Sequence, residues 1–133
     1  MPELTSESPK SGRFEFQNWP VYTKALEFVG FAYELCEQLP KDSATGLRDQ
    51  LRRAAQSIPL NIAEGSSRYS TKDKTNFLRV ARGSVYECVA ILDLLPHLKI
   101  SHGDLTPHYQ LLETIGRMIS GLIGWLEKNR KNL

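Results

Sequence analysis

The sequence predicts an all-α protein, an antiparallel up-down four-helix bundle. Three observations carry this. Apolar residues recur at alternating steps of four and three through four successive stretches of about 20 residues, the repeat of one helix face. No segment sustains the alternation of a strand. The breaks between stretches are short and hold Pro, Gly, Ser and Asp, the residues of turns and helix ends.

Each stretch has its own seam. The first twelve residues are polar, with Pro2, Pro9, Ser6, Ser8, Ser11 and Gly12, and read as a flexible arm. The domain boundaries predicted are therefore an arm over 1–13 and a bundle domain over 14–133. The first helix carries Val21, Ala25, Phe28, Ala32, Leu35 and Leu39, opens with Pro20 in its first turn, and stops at Pro40 and the KDSATG segment. A second helix is predicted from about Ala44–Leu47, with Leu47, Leu51, Ala54, Ile58, Asn61 and Gly65 in line. Pro59 lies inside it, so a kink and one lost backbone hydrogen bond are expected there. Ser70 is placed to cap the third helix, with Asp73 three residues on as in a capping box. Its seam is Phe77, Ala81, Ser84, Cys88, Ile91 and Leu95, widened by Leu78, Val85, Val89 and Leu92, and Pro96 to Gly103 form the next connection. Thr106 and Pro107 read as cap and first residue of the fourth helix, whose seam is Leu112, Ile115, Ile119, Leu122 and Leu126. Leu111, Met118 and Trp125 form a second stripe. Lys128, Arg130 and Lys131 suit the negative end of that helix.

Size and composition bound what such a bundle is. The chain has 133 residues, 24% of them charged, enough for one domain with its own core. Two cysteines make no disulfide framework; Cys36 and Cys88 fall on seams and read as small, reduced core residues. No secretory leader and no apolar run of membrane-spanning length is seen, so a cytoplasmic protein without a membrane partner is expected.

The net charge of +2 is unevenly spread. Residues 1–47 hold seven acidic and four basic groups, and residues 83–133 hold five of each. Residues 48–82 hold eight basic groups, Arg48, Arg52, Arg53, Arg68, Lys72, Lys74, Arg79 and Arg82, against Asp49, Glu64 and Asp73. These eight are the candidate contacts to nucleic-acid phosphates, because neutralising phosphates with Lys and Arg drives sequence-independent affinity. Tyr69 is the one aromatic residue inside the basic turn region between the second and third helices, and no zinc-finger or aromatic-rich RNA-binding signature accompanies it.

The sequence carries no recognised catalytic or metal pattern. A di-metal carboxylate bundle needs Glu-x-x-His pairs, whereas Glu34, Glu64, Glu87 and Glu113 are followed at that spacing by Glu37, Ser67, Ala90 and Gly116. His97, His102 and His108 fit no zinc spacing and read as solvated histidines of the third connection. Gly116, Gly121 and Gly124 read as packing notches. No phosphate loop or nucleophile elbow occurs, so no enzyme activity, catalytic residue, metal or cofactor is predicted.

Two polar residues interrupt the seams, Asn61 on the second helix and Ser84 on the third. A hydrogen bond between them across the core is expected, flanked by Glu64 and Glu87 one turn away and paired with Arg52, Arg53 or Arg82. Buried polar groups need such partners.

The same region resembles a known family. Gly46 to Gly65 follows the pattern GL-x2-Q-x-RRA-x2-SIP-x-NIAEG. After a basic Ser/Thr-rich turn, Phe77 to Glu87 follows FL-x-x-A-x-GS-x-x-E. This resembles the four-helix-bundle proteins encoded by intervening sequences inside bacterial 23S rRNA genes, across roughly residues 14–127. The family is similar to the accessory proteins of diversity-generating retroelements, which bind nucleic acid and a reverse transcriptase through basic surface. The resemblance implies an up-down bundle, assembly of identical subunits into a ring of five, and no established reaction. It leaves two functions: a non-enzymatic oligomeric binder of RNA or DNA, or a scaffold docking an acidic protein partner.

Overall fold

The computed structural model describes residues 13–130, without the side chains of Ser43 and Thr45. The arm predicted over 1–13 lies, except for Arg13, outside the described residues, as does Lys131 of the basic tail. A 3-10 turn at Glu15–Asn18 leads into four helices, α1 (Pro20–Gln38), α2 (Lys41–Ser66), α3 (Thr71–His97) and α4 (Thr106–Lys128). There are no strands among the described residues.

The helices pack as a bundle in which α1 lies against α2 and α4, and α3 against α2 and α4. Contacts between neighbours climb one helix as they descend the next. On α3 and α4, Arg79 meets Glu127, Arg82 meets Ser120, and Asp93 meets Tyr109. On α2 and α3, Gln50 meets Glu87, Ser57 meets Ser84, and Ser66 meets Lys74. The core is the set of seams: Val21, Ala25, Phe28 and Ala32 from α1, Leu51, Ala55, Ile58 and Ile62 from α2, Ala81, Cys88, Leu92 and Leu95 from α3, and Leu112, Ile115, Ile119 and Leu122 from α4. Burying side chains of this size stabilises the fold by about 1.5–3 kcal/mol for each Leu, Ile or Phe.

The helix ends differ from expectation in physical ways. α2 begins at Lys41, ahead of the predicted Ala44–Leu47, with Pro40 as its cap. KDSATG is rich in weak helix formers, but burial of Ala44 and the favourable placement of Asp42 in the first turn outweigh their propensity. The helix continues through Pro59 to Ser66. At the start of α3, the Asp73 amide donates to Ser70 Oγ at 3.1 Å, the cap expected there.

α3 runs past Pro96 to His97 and ends in a Schellman arrangement. The Lys99 amide donates to the Pro96 carbonyl at 3.0 Å and the Ile100 amide to the Leu95 carbonyl at 2.9 Å. Lys99 adopts φ 58°, and Ile100 is buried beside it. At α4, Thr106 is the first helical residue rather than the cap. The Asp104 carboxylate accepts from the Thr106 amide at 3.0 Å, taking the capping role and holding its own pKa below the usual value. Of the predicted glycine notches, Gly116 faces Val85, Gly124 has open space around it, and Gly121 is exposed.

Candidate nucleic-acid interface

The eight basic residues of the 48–82 segment do not share one face. Helical spacing separates them into three groups. Arg48 and Arg52, one turn apart on α2, lie on the side toward α1. The Arg48 carbonyl accepts from Cys36 Sγ at 3.6 Å, and Arg48 Nε is buried with no hydrogen-bond partner. Arg52 pairs with Asp49 at 2.6 Å, with its guanidinium 5.8 Å from the Tyr33 ring centre. Arg53, beside it, is exposed. Arg79 and Arg82, on α3, turn toward α4. Arg79 pairs with Glu127, and Arg82 Nη1 donates to Ser120 Oγ at 3.2 Å.

The third group, Arg68, Lys72 and Lys74, gathers where α2 turns into α3. Arg68 pairs with Glu64 at 3.0 Å and stacks over Phe77, its guanidinium carbon 4.6 Å from the ring centre. That stack holds the charge in place at the surface. Lys74 Nζ donates to the Ser66 carbonyl at 3.4 Å. Lys72 is exposed and forms no ion pair among the described residues. Between Arg68 and Lys72 stands Tyr69, 97% exposed. Lys128 and Arg130, also exposed, follow from the end of α4 that reaches this part of the bundle.

The chain comes close enough for this turn because residue 65 has no side chain. A Cβ at Gly65 would lie 3.2 Å from Phe77 Cβ and 3.3 Å from the Lys74 carbonyl oxygen. Beside the turn a cavity of about 250 Å3 opens at the bundle end, with Glu15, Trp19, Ser66, Lys74, Leu122 and Trp125 in its wall. Residues from four separate segments form it, the stretch before α1 and the helices α2, α3 and α4, and no sequence spacing signals it.

The interior polar cluster is built differently from the expected Asn61–Ser84 pair. Ser84 Oγ donates to Ser57 Oγ at 2.7 Å and lies 3.2 Å from the Val80 carbonyl. Asn61 Nδ2 donates to Ser57 Oγ at 2.9 Å and to its carbonyl at 2.8 Å. Ser57 is thus the bridge, and its place one turn before Asn61 was the available signal. Glu64 and Glu87 stand outside the cluster: Glu64 holds Arg68, and Glu87 accepts from Gln50 Nε2 at 3.2 Å. Nor do Arg52, Arg53 and Arg82 join it, two of them being engaged elsewhere.

The histidines divide. His97 and His102 are exposed, but His108 belongs to the first turn of α4, half-buried, edge-on to Phe31 with ring centres 5.4 Å apart. It is not a solvated loop residue. Burial lowers its pKa, opposed in part by Glu34 and Asp104. Cys36 and Cys88 are free and buried, and burial pushes the Cys88 thiol up to about 12. Among the described residues, no three His, Cys, Asp or Glu side chains gather as a metal site requires. No helix among them is long and apolar enough to cross a membrane.

A comparison with curated proteins finds none that matches. The 23S rRNA-intervening sequence protein family matches the chain over residues 17–121, which spans α1, α2 and α3 and most of α4. With that match and its four-helix bundle, the chain belongs to the 23S rRNA-intervening sequence protein family.

Proposed function

We propose that the protein is a non-enzymatic, self-associating bundle that binds nucleic-acid phosphates in the cytoplasm without a cofactor, using the basic α2–α3 turn as its principal contact. The observation that carries this reading is the turn itself. Arg68 and Lys72 flank a Tyr69 side chain 97% exposed, and Lys72 forms no ion pair among the described residues, while Arg52, Arg68 and Arg79 each meet a carboxylate at the surface. A guanidinium already paired with a carboxylate brings less net charge to a phosphate than the unpaired ammonium of Lys72 does. The family's name, which ties its members to 23S rRNA genes, makes RNA the first ligand to try.

Self-association rests on a different surface. A groove of about 770 Å3 runs between α3 and α4, with Tyr86, Val89, Tyr109 and Leu112 in its wall. Tyr86 is 68% exposed there. A heterologous contact through this groove, repeated with a closing rotation, gives a ring, and five subunits is the number that the family resemblance implies. The same surface supports the second reading, a scaffold that docks a protein partner.

The test is a titration of labelled structured RNA and duplex DNA, followed by anisotropy across a salt series. Phosphate binding predicts affinity that falls steeply with salt, by a log–log slope of about 0.9 per contact on duplex DNA. Absence of binding at low salt contradicts it and favours the scaffold. A light-scattering mass near that of one chain contradicts the ring.

A further inference from the structure

We propose that the cavity beside the α2–α3 turn receives one unpaired nucleobase of a single strand whose phosphates lie on Arg68, Lys72 and Lys74. This rests on the phosphate-binding reading above and adds to it a site with a preference for single strands.

The size fits. An engineered protein cavity of about 150 Å3 takes benzene. About 250 Å3 holds one planar heterocycle and not a base pair. The walls fit as well. The chain has two tryptophans, and both Trp19 and Trp125 line this cavity, with Leu122 and Leu126 beside them. Indole rings are good stacking surfaces for bases, and stacking tolerates any base because each has a π face.

The polar groups are those that a base edge would meet. Glu15 lines the cavity, is exposed, and forms no ion pair among the described residues. A carboxylate acceptor at the cavity matches a base that carries an exocyclic amino group, as cytosine does and uracil does not. The same carboxylate disfavours a fatty acid or any other anionic head in this place. Lys74, also in the wall, bonds the Ser66 carbonyl at a long 3.4 Å, leaving its ammonium free to turn to a phosphate at the mouth. Arg68 and Lys72 continue that positive surface along the turn, and the exposed Tyr69 ring offers a neighbouring base a second face.

Because both tryptophans line the cavity, their emission reports its occupancy. The full chain is titrated at low salt with end-labelled 12-residue strands of cytidylate or uridylate and with an RNA duplex, reading label anisotropy and tryptophan emission together. The proposal predicts that single strands quench the emission and bind at least about fivefold more tightly than the duplex, the effect of one stacked base. It also predicts that Glu15→Gln narrows the preference for cytidylate over uridylate, and that Trp125→Leu removes the single-strand preference while duplex binding persists. Equal anisotropy changes for single and double strands with unchanged emission overturn the base site and leave phosphate binding standing. No anisotropy change with any strand overturns both.

Discussion

The Ser84 hydroxyl donates to the Ser57 hydroxyl at 2.7 Å, and Ser57 in turn accepts from Asn61 one helical turn further along α2. One small side chain thereby joins the polar residues of two seams that do not touch each other. Ser57→Ala removes the shared partner of both, whereas Ser84→Ala leaves the Ser57–Asn61 bond intact. The former should cost about 1–2 kcal/mol and the latter about 1 kcal/mol. In a double-mutant cycle by urea denaturation the double variant should lose less than the sum of the singles.

Two glycines should respond oppositely to alanine. Gly65→Ala places a methyl 3.2 Å from Phe77 Cβ and 3.3 Å from the Lys74 carbonyl. The α3 backbone and the root of the Phe77 side chain must give by a few tenths of an ångström, and the strain should outweigh the helical gain by about 1 kcal/mol. Gly30, exposed within α1, has open space around its missing Cβ. Gly30→Ala should stabilise by about 0.5–1 kcal/mol. Thermal melts of the two variants check both signs.

Lys99 closes α3 in the left-handed region, at φ 58°, where a side chain is unfavourable and glycine is not. Lys99→Gly should raise stability by about 0.5–1 kcal/mol without altering the cap. Chemical denaturation of the variant is the check.

Two neighbours at the start of α4 set opposite pH limits. His108 has a folded-state pKa below its ordinary 6.5, chiefly through burial, so its neutral form is favoured in the fold. Its contribution is complete above pH 6.5 and falls away as pH drops through the lowered value. Tyr109, desolvated and donating to Asp93 at 2.7 Å, is raised to about 12 from an ordinary 10. Its contribution is complete below pH 10 and is lost as pH rises toward 12. Stability measured against pH should lose the His108 share of its acid limb, the part just below pH 6.5, in His108→Gln, and the Tyr109 share of its alkaline limb in Tyr109→Phe, the buried Cys88 thiol keeping the rest.

The helices were legible because a four-three apolar spacing has one cheap solution. Phe28, Ile58, Leu92 and Ile115 bury where that spacing puts them. Helix ends were less so: Lys41 begins α2 because tertiary burial of Ala44 overrides local propensity, and Asp104 caps α4 from outside the expected pair. The charge map located a basic segment but not a face. Residues 52 and 79 turn to opposite flanks of the α2–α3 pair: Arg52 meets Asp49, three residues back on its own helix, while Arg79 meets Glu127 on α4, which no spacing announces. The cavity was wholly out of reach, since Glu15, Trp19, Gly65, Lys74 and Trp125 meet only when the bundle closes.

The salt dependence of RNA binding in two double variants tests where the ligand lies. Replacing Lys72 and Lys74 together by Gln should weaken binding and lower the magnitude of the log–log salt slope by about 1–2, one contact for each residue, because neither ammonium forms an ion pair among the described residues. Replacing Arg52 and Arg79 together by Gln should leave the slope unchanged, because Asp49 and Glu127 already hold those guanidinium groups. A slope that falls only in the second variant, or in neither, would contradict a binding surface at the α2–α3 turn.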